Sequence, residues 1–130
     1  MDADESFYDS VKQFKNGAHI FTKRVNNPQD FGVAGFNSKY ELVSITEKPK
    51  TFISNFAIIG FYLFDFKVFE YAKQCIPSSR GQLEITDVLQ SYLNDSKLSY
   101  NHINFFWQDA GTYENLYLAN KYWYEKEINA

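Results

Sequence analysis

An α/β fold, a mixed sheet with flanking helices, is what this sequence predicts, on three observations. Strand-like runs joined by short turns fill the first half, and helix-like runs dominate the second. Elements in that order give an α/β or α+β sheet. The run from Phe56 to Phe64 is almost wholly apolar and aromatic, interrupted only by Gly60, the pattern of a central strand buried on both faces. The chain has 130 residues, 45% of them hydrophobic, which is one domain's worth with a real core.

The elements follow in order. Phe7, Val11 and Phe14 are spaced by four and three, so residues 6–15 read as a helix, with Ser6 as its cap and Asn16-Gly17 as its stop. Residues 19–25 alternate as a strand, and Asn26-Asn27-Pro28 is a turn. Residues 31–36 form a second strand holding Gly32 and Gly35; a glycine inside a strand often marks close approach to the backbone. Asn37-Ser38-Lys39 is a hairpin turn into a third strand, residues 42–46, and Pro49 of Glu47-Lys48-Pro49-Lys50 bars a further ladder bond. After the central strand, residues 66–75 are a short helix with Val68, Phe69 and Ala72 on its apolar side. Residues 85–93 are another, with Ile85, Val88, Leu89 and Tyr92 facing in and Asn94-Asp95 closing it. Residues 98–103 alternate as a strand, Phe105-Phe106-Trp107 is a short extended run, and a helix covers residues 113–126.

Charge and composition narrow the function classes. The net charge is −3 and the pI about 5.3, without the broad basic surface of a nucleic-acid binder. Cys75 is the single cysteine, so no internal disulfide forms and a reducing cytoplasm is the default. No apolar run reaches membrane-spanning length, and the N-terminus is acidic rather than signal-like. The 13 Phe, 10 Tyr and 2 Trp exceed what one domain of this size readily buries. An exposed apolar face implies an interface, and a homo-oligomer is expected.

Three clusters end or follow strands: Glu47-Lys48-Pro49-Lys50, Arg80-Gly81 and Asp109-Ala110-Gly111-Thr112. Ligands of open α/β sheets bind beyond strand ends. Lys48 and Arg80 are suited to one shared phosphate, Glu47 to hydroxyl groups, and Asp109 to Mg²⁺. The stretch from Ile76 to Asp87 is the densest in special residues, although a plain helix N-terminus with Thr86 or Asp87 near its cap also accounts for it. His19 and His102 fall in strand patterns and read as structural, as does Cys75, and Trp107, Tyr113, Tyr117 and Trp123 read as core or interface aromatics.

An ordered set of short motifs carries a resemblance. It runs from Gly17-Ala18 through Asp30-Phe31-Gly32-Val33, Glu47-Lys48-Pro49-Lys50, Ser54-Asn55 and Gly60-Phe61-Tyr62. It continues with Pro77-Ser78, Arg80-Gly81 and Leu83-Glu84-Ile85-Thr86-Asp87, and ends at Asp109-Ala110-Gly111-Thr112. In order and spacing these resemble the sugar-1-phosphate nucleotidyltransferases, most closely the glucose-1-phosphate thymidylyltransferases. The resemblance implies the C-terminal part of a Rossmann-like nucleotidyltransferase domain. Residues 1–130 would be a single domain, the sugar-phosphate-binding half, lacking the N-terminal Gly-rich nucleotide-binding loop. It also implies roles: Lys48 and Arg80 holding the sugar phosphate, Glu47 binding hydroxyls, Gly32 and Gly60 against the sugar ring beside Phe31, and Asp109 and Asp4 holding Mg²⁺. Phe31 stands where many relatives have Tyr, Gln82 where they have Glu, and Ala3-Asp4-Glu5 where a Gly-Asp-Asn turn is usual. The implied partners are a sugar 1-phosphate and dTTP in the complete enzyme, with no nucleic acid and no membrane. The chain alone is expected to be inactive. A module of another class, non-catalytic and binding sugar phosphate or driving oligomerisation, is the alternative.

Overall fold

The computed structural model describes residues 3–77, 81 and 83–130; Arg80, Gln82 and the Ser78-Ser79 pair lie outside the described residues. Five strands form one mixed sheet in the order β3-β2-β4-β1-β5, with β1 Ala18–Arg24, β2 Gly32–Phe36, β3 Leu42–Glu47, β4 Phe56–Phe64 and β5 Leu98–His102. The helices are α1 Glu5–Gln13, α2 Val68–Gln74, α3 Ile85–Asn94 and α4 Tyr113–Ile128. β4 is central, as its composition predicts. It pairs antiparallel with β1 from Ala18↔Phe64 to Arg24↔Phe56, and with β2 at Val33↔Ala57. β5 joins parallel to β1.

Alternation along the strands sorts the core into two layers. Ile20 and Ile58 point to one side, where they meet Ala34, Ile45 and Leu89 of α3. Phe21 and Ile59 point to the other, where they meet Phe7 of α1 and Ile103. A third cluster of Ala18, Tyr71, Val88 and Tyr92 ties α2 to α3. Each large apolar side chain fully buried in these layers stabilises the fold by roughly 1.5–3 kcal/mol. The sheet curls, so Phe36 of β2 reaches Tyr100 of β5 at 4.8 Å between ring centroids, and the Phe56 ring stacks on His102 at 4.2 Å.

Several expectations need correction. The cap of α1 is Asp4, not Ser6: its carboxylate Oδ1 accepts from the Phe7 N–H at 3.0 Å and the Ser6 hydroxyl at 2.8 Å. Gly17 does not stop α1, which ends at Gln13; it opens β1 instead. With φ +75° and its Cα turned onto Lys97, where a Cβ would lie 2.5 Å from the carbonyl oxygen, only glycine fits there. Helix α2 begins at Val68 rather than at residue 66, because Asp65 holds a preceding turn by accepting from the Lys67 N–H at 3.1 Å. That phase turns Tyr71 inward, with its hydroxyl donated to Asp95, and leaves Phe69 64% exposed. No described helix is long and apolar enough to cross a membrane.

Candidate functional site

A cavity of about 400 Å³ opens where β2 and β4 part. Its floor comes from alternate residues of β4, namely Ile58, Gly60 and Tyr62, which share one face of the strand. Gly32 and Glu47 add the first residue of β2 and the last of β3, a pair directly across the ladder. The first turn of α3 overhangs the opening with Ile85 and Thr86, and Trp107, Gln108 and Asp109 close the far side. Ile85, expected to face the core, is 37% exposed on this rim.

The glycines explain how the space stays open. A Cβ on Gly60 would meet nothing within 4 Å. A Cβ on Gly32 would come within 3.0 Å of the Thr86 methyl and 3.2 Å of the Glu47 carboxylate. Gly32 therefore sets how closely α3 and Glu47 approach, and Gly60 leaves bare backbone for an occupant.

Electrostatics in the pocket are acidic. Burial, reinforced by the negative charge of Glu47, pushes the Tyr62 hydroxyl above its ordinary range, so that phenol stays protonated and able to donate. Asp109 is exposed and accepts from the Gly111 N–H at 3.2 Å through Oδ1. Lys48 follows Glu47 in a left-handed conformation, φ 41°, with its N–H donated to the Phe31 carbonyl at 2.9 Å. A non-glycine residue held there costs of order 1–3 kcal/mol, and such strain gathers at functional sites. The buried Pro49 that follows anchors the turn.

The structure thus brings Phe31, Gly32, Glu47, Gly60 and Asp109 to one cavity, although they span most of the chain. Lys48 is exposed beside it, adjacent to Glu47. Arg80 lies outside the described residues. Asp4 does not line the cavity; it caps α1. Trp107, read from sequence as core or interface, does both jobs: its ring packs with the Phe7 cluster and meets Phe31 edge-on at 5.7 Å while lining the pocket. Tyr62, Thr86 and Gln108 were not singled out for the site; the two-residue step from Gly60 to Tyr62 was the available signal for one of them.

The family model described as nucleotidyl transferase matches residues 3–126. The chain belongs to the nucleotidyl transferase family. Among curated nucleotidyltransferases, the glucose-1-phosphate thymidylyltransferase of Neisseria meningitidis is 42% identical over 120 residues, covering 88% of this chain and 42% of that protein. That of Mycolicibacterium smegmatis is 38% identical over 117 residues, covering 87% and 41%. A solved structure assigned to glucose-1-phosphate thymidylyltransferase from Bacillus anthracis, in complex with a sucrose, superposes with a TM-score of 0.80 at 40% identity, over 93% of this chain and 49% of that one. A UDP-glucose pyrophosphorylase complexed with UDP-glucose shares the fold, with a TM-score of 0.77 at 22% identity. The chain spans less than half the length of the curated relatives it matches.

One cation site is implied by this family, and the donor chemistry bears on it. Asp109 presents a carboxylate on the pocket wall, and Mg²⁺ is commonly held by one or two carboxylates plus substrate phosphates. Among the described residues there is no cluster of three or more His, Cys, Asp or Glu side chains able to hold a metal by themselves. A magnesium completed by substrate oxygens fits that donor set; an all-protein metal cage does not.

Proposed function

We propose that this chain is the sugar 1-phosphate-binding half, one domain over residues 1–130, of a cytoplasmic glucose-1-phosphate thymidylyltransferase. The observation that supports it is the single cavity joining Phe31, Gly32, Glu47, Gly60 and Asp109, set in a chain about 40% identical to proteins of that name.

In the complete reaction a phosphate oxygen of glucose 1-phosphate attacks the α-phosphorus of dTTP. The bond to the bridging oxygen breaks, pyrophosphate leaves with that electron pair, and dTDP-glucose forms. Positioning and charge neutralisation carry such a step. The bare backbone at Gly60 and Gly32 receives the sugar ring, with Phe31 beside it. Glu47 accepts from sugar hydroxyls and Tyr62 donates to one. Lys48 and Arg80 hold the attacking phosphate against its own repulsion from the triphosphate. Asp109 would hold Mg²⁺, which supplies neutralisation of charge on the phosphates, while the Asp4 carboxylate is engaged as the cap of α1. Self-association, as a homo-oligomer, is expected through the exposed aromatic residues of α4, where Tyr113 is 96% exposed and no residue is buried.

Calorimetry with glucose 1-phosphate tests the reading. Saturable binding by the purified chain, lost in both Lys48→Ala and Arg80→Ala, is the expected result; no binding by the folded wild-type chain overturns it. The chain by itself should form no dTDP-glucose from glucose 1-phosphate and dTTP, and measurable product contradicts its assignment as half of the enzyme.

A further inference from the structure

We propose that a second cavity, under the C-terminal end of α1, binds a neutral sugar ring, apart from the sugar 1-phosphate cavity and on the opposite face of the sheet.

This cavity holds about 340 Å³, within the roughly 300–1,000 Å³ of small-molecule sites. Its wall comes from β1 and β5, where His19 pairs with Ser99 and Phe21 with Asn101 in the parallel ladder. Alternation puts these four residues on the side where Phe21 meets Phe7 of α1. Ile58 and Tyr62, the floor of the first cavity, belong to the Ile20 side. Helix α1 supplies Ser10 and Gln13, and the turn after it brings Phe14, Lys15 and Asn16.

The chemistry of the wall selects the ligand. No acid stands among the described residues that line it, so a metal ion or an ammonium group finds no counter-charge. Lys15 is the single lining cation and is exposed. It sits just past the last turn of α1, where positive charge already complements the free carbonyls of the helix end. Phe14 is the one apolar side chain of the lining, too little for a greasy occupant but enough to meet one C–H face of a ring. The rest is two hydroxyls, three carboxamides and an imidazole. Hydroxyls and carboxamides both give and accept hydrogen bonds, and so do the hydroxyls of a sugar.

Several of these groups lack partners. The Ser10 hydroxyl has one hydrogen for two acceptors, the Ser6 carbonyl at 3.0 Å and Asn101 Oδ1 at 3.1 Å. The Ser99 hydroxyl likewise faces the Ala18 carbonyl at 3.3 Å and His19 Nδ1 at 2.7 Å. Burial lowers the His19 pKa, Asn101 opposing that in part, so the ring is neutral at pH 7. Whichever tautomer Ser99 selects, the ring's Nε2 is buried without a hydrogen-bond partner, the one such side-chain atom among the described residues. Folded proteins pair nearly all buried polar atoms. The exception belongs to a ring in the wall of this cavity.

Titration of the isotope-labelled chain tests the site with methyl α-D-glucoside, inorganic phosphate and thymidine as probes. The glucoside at millimolar concentration should give saturable shifts on the side-chain amides of Gln13, Asn16 and Asn101 and on the His19 ring nitrogens. Phosphate and thymidine should leave those signals in place. Asn101→Leu and Gln13→Ala, both at exposed positions, should keep the folded spectrum and each weaken the glucoside at least about fivefold, the loss of one hydrogen bond. Four results overturn the proposal: no saturable shift with the glucoside, glucoside shifts gathered on Gly32 and Gly60 instead, affinity unchanged in both variants, or tighter binding of phosphate or thymidine at the same signals. The signals lie across the sheet from Gly60, so a failure of glucose 1-phosphate to bind leaves this test standing.

Discussion

Gly60→Ala separates an occupied pocket from an empty one. The added methyl would meet nothing within 4 Å in the unliganded chain, and the backbone there is not left-handed. Replacing glycine in a strand removes freedom from the unfolded chain, so the variant should gain about 0.5–1 kcal/mol in stability. A ligand lying against that backbone would meet the methyl. Overpacking of a fitted contact costs about 1–3 kcal/mol, which is a loss of roughly 5- to 150-fold in affinity. Urea denaturation and calorimetry with glucose 1-phosphate read the two effects on one sample. Unchanged affinity with unchanged or improved stability refutes the placement of a ligand on β4. Gly32→Ala gives the contrast: its Cβ would press on Thr86 and Glu47, so stability and affinity should fall together.

Further predictions concern strain, pH and the fold's fixed points. Lys48→Gly removes a left-handed non-glycine residue and should stabilise the chain by about 1 kcal/mol while weakening phosphate binding at least tenfold. Urea midpoints and phosphate titration check both, and a destabilised variant contradicts the strain. Gly17→Ala should cost at least about 2 kcal/mol, since φ +75° and the Lys97 carbonyl oppose any Cβ; that is a fall of roughly 6–10 °C in melting temperature for a domain of this size, and a fall of under about 2 °C speaks against it. Burial holds the His19 and His102 imidazoles below the usual 6.5. The unfolded chain therefore takes up protons first, and stability, full above 6.5, is lost as pH falls through the lower folded values. His19→Gln with His102→Gln should flatten that slope between pH 7 and pH 5. Asp65, lowered mainly by the Tyr92 hydroxyl that donates to it at 2.7 Å, adds a second loss below pH 3.8.

Local chemistry made much of the fold readable. Period-two alternation, Pro49 and the Asn37 turn set β1 to β3, and the uncharged run of β4 announced a central strand. Asp4 and Ser6 are equally good caps by type; only the position of the Phe7 N–H decides between them. The inward turn of Tyr71 depends on where Asp65 ends its turn, a two-residue shift that reverses the exposed side of a short helix. The strand glycines taken alone pointed equally to Gly35, which does not line the pocket; the pocket was legible mainly through the resemblance, whose ordered motifs carried Phe31, Gly32, Glu47, Gly60 and Asp109. Tyr62, Thr86 and Gln108 were not, because membership depends on where β2 leaves β4 and on the overhang of α3, neither of which any local pattern encodes.

The central claim is that the cavity between β2 and β4 receives a sugar 1-phosphate. Titrating the isotope-labelled chain with glucose 1-phosphate and following the Gly32 and Gly60 amides and the Trp107 indole N–H tests it most directly. Saturable shifts concentrated on those three signals, abolished by Arg80→Ala, are the predicted result. Shifts absent at millimolar ligand, or gathered on α4 and the far face of β1, contradict it.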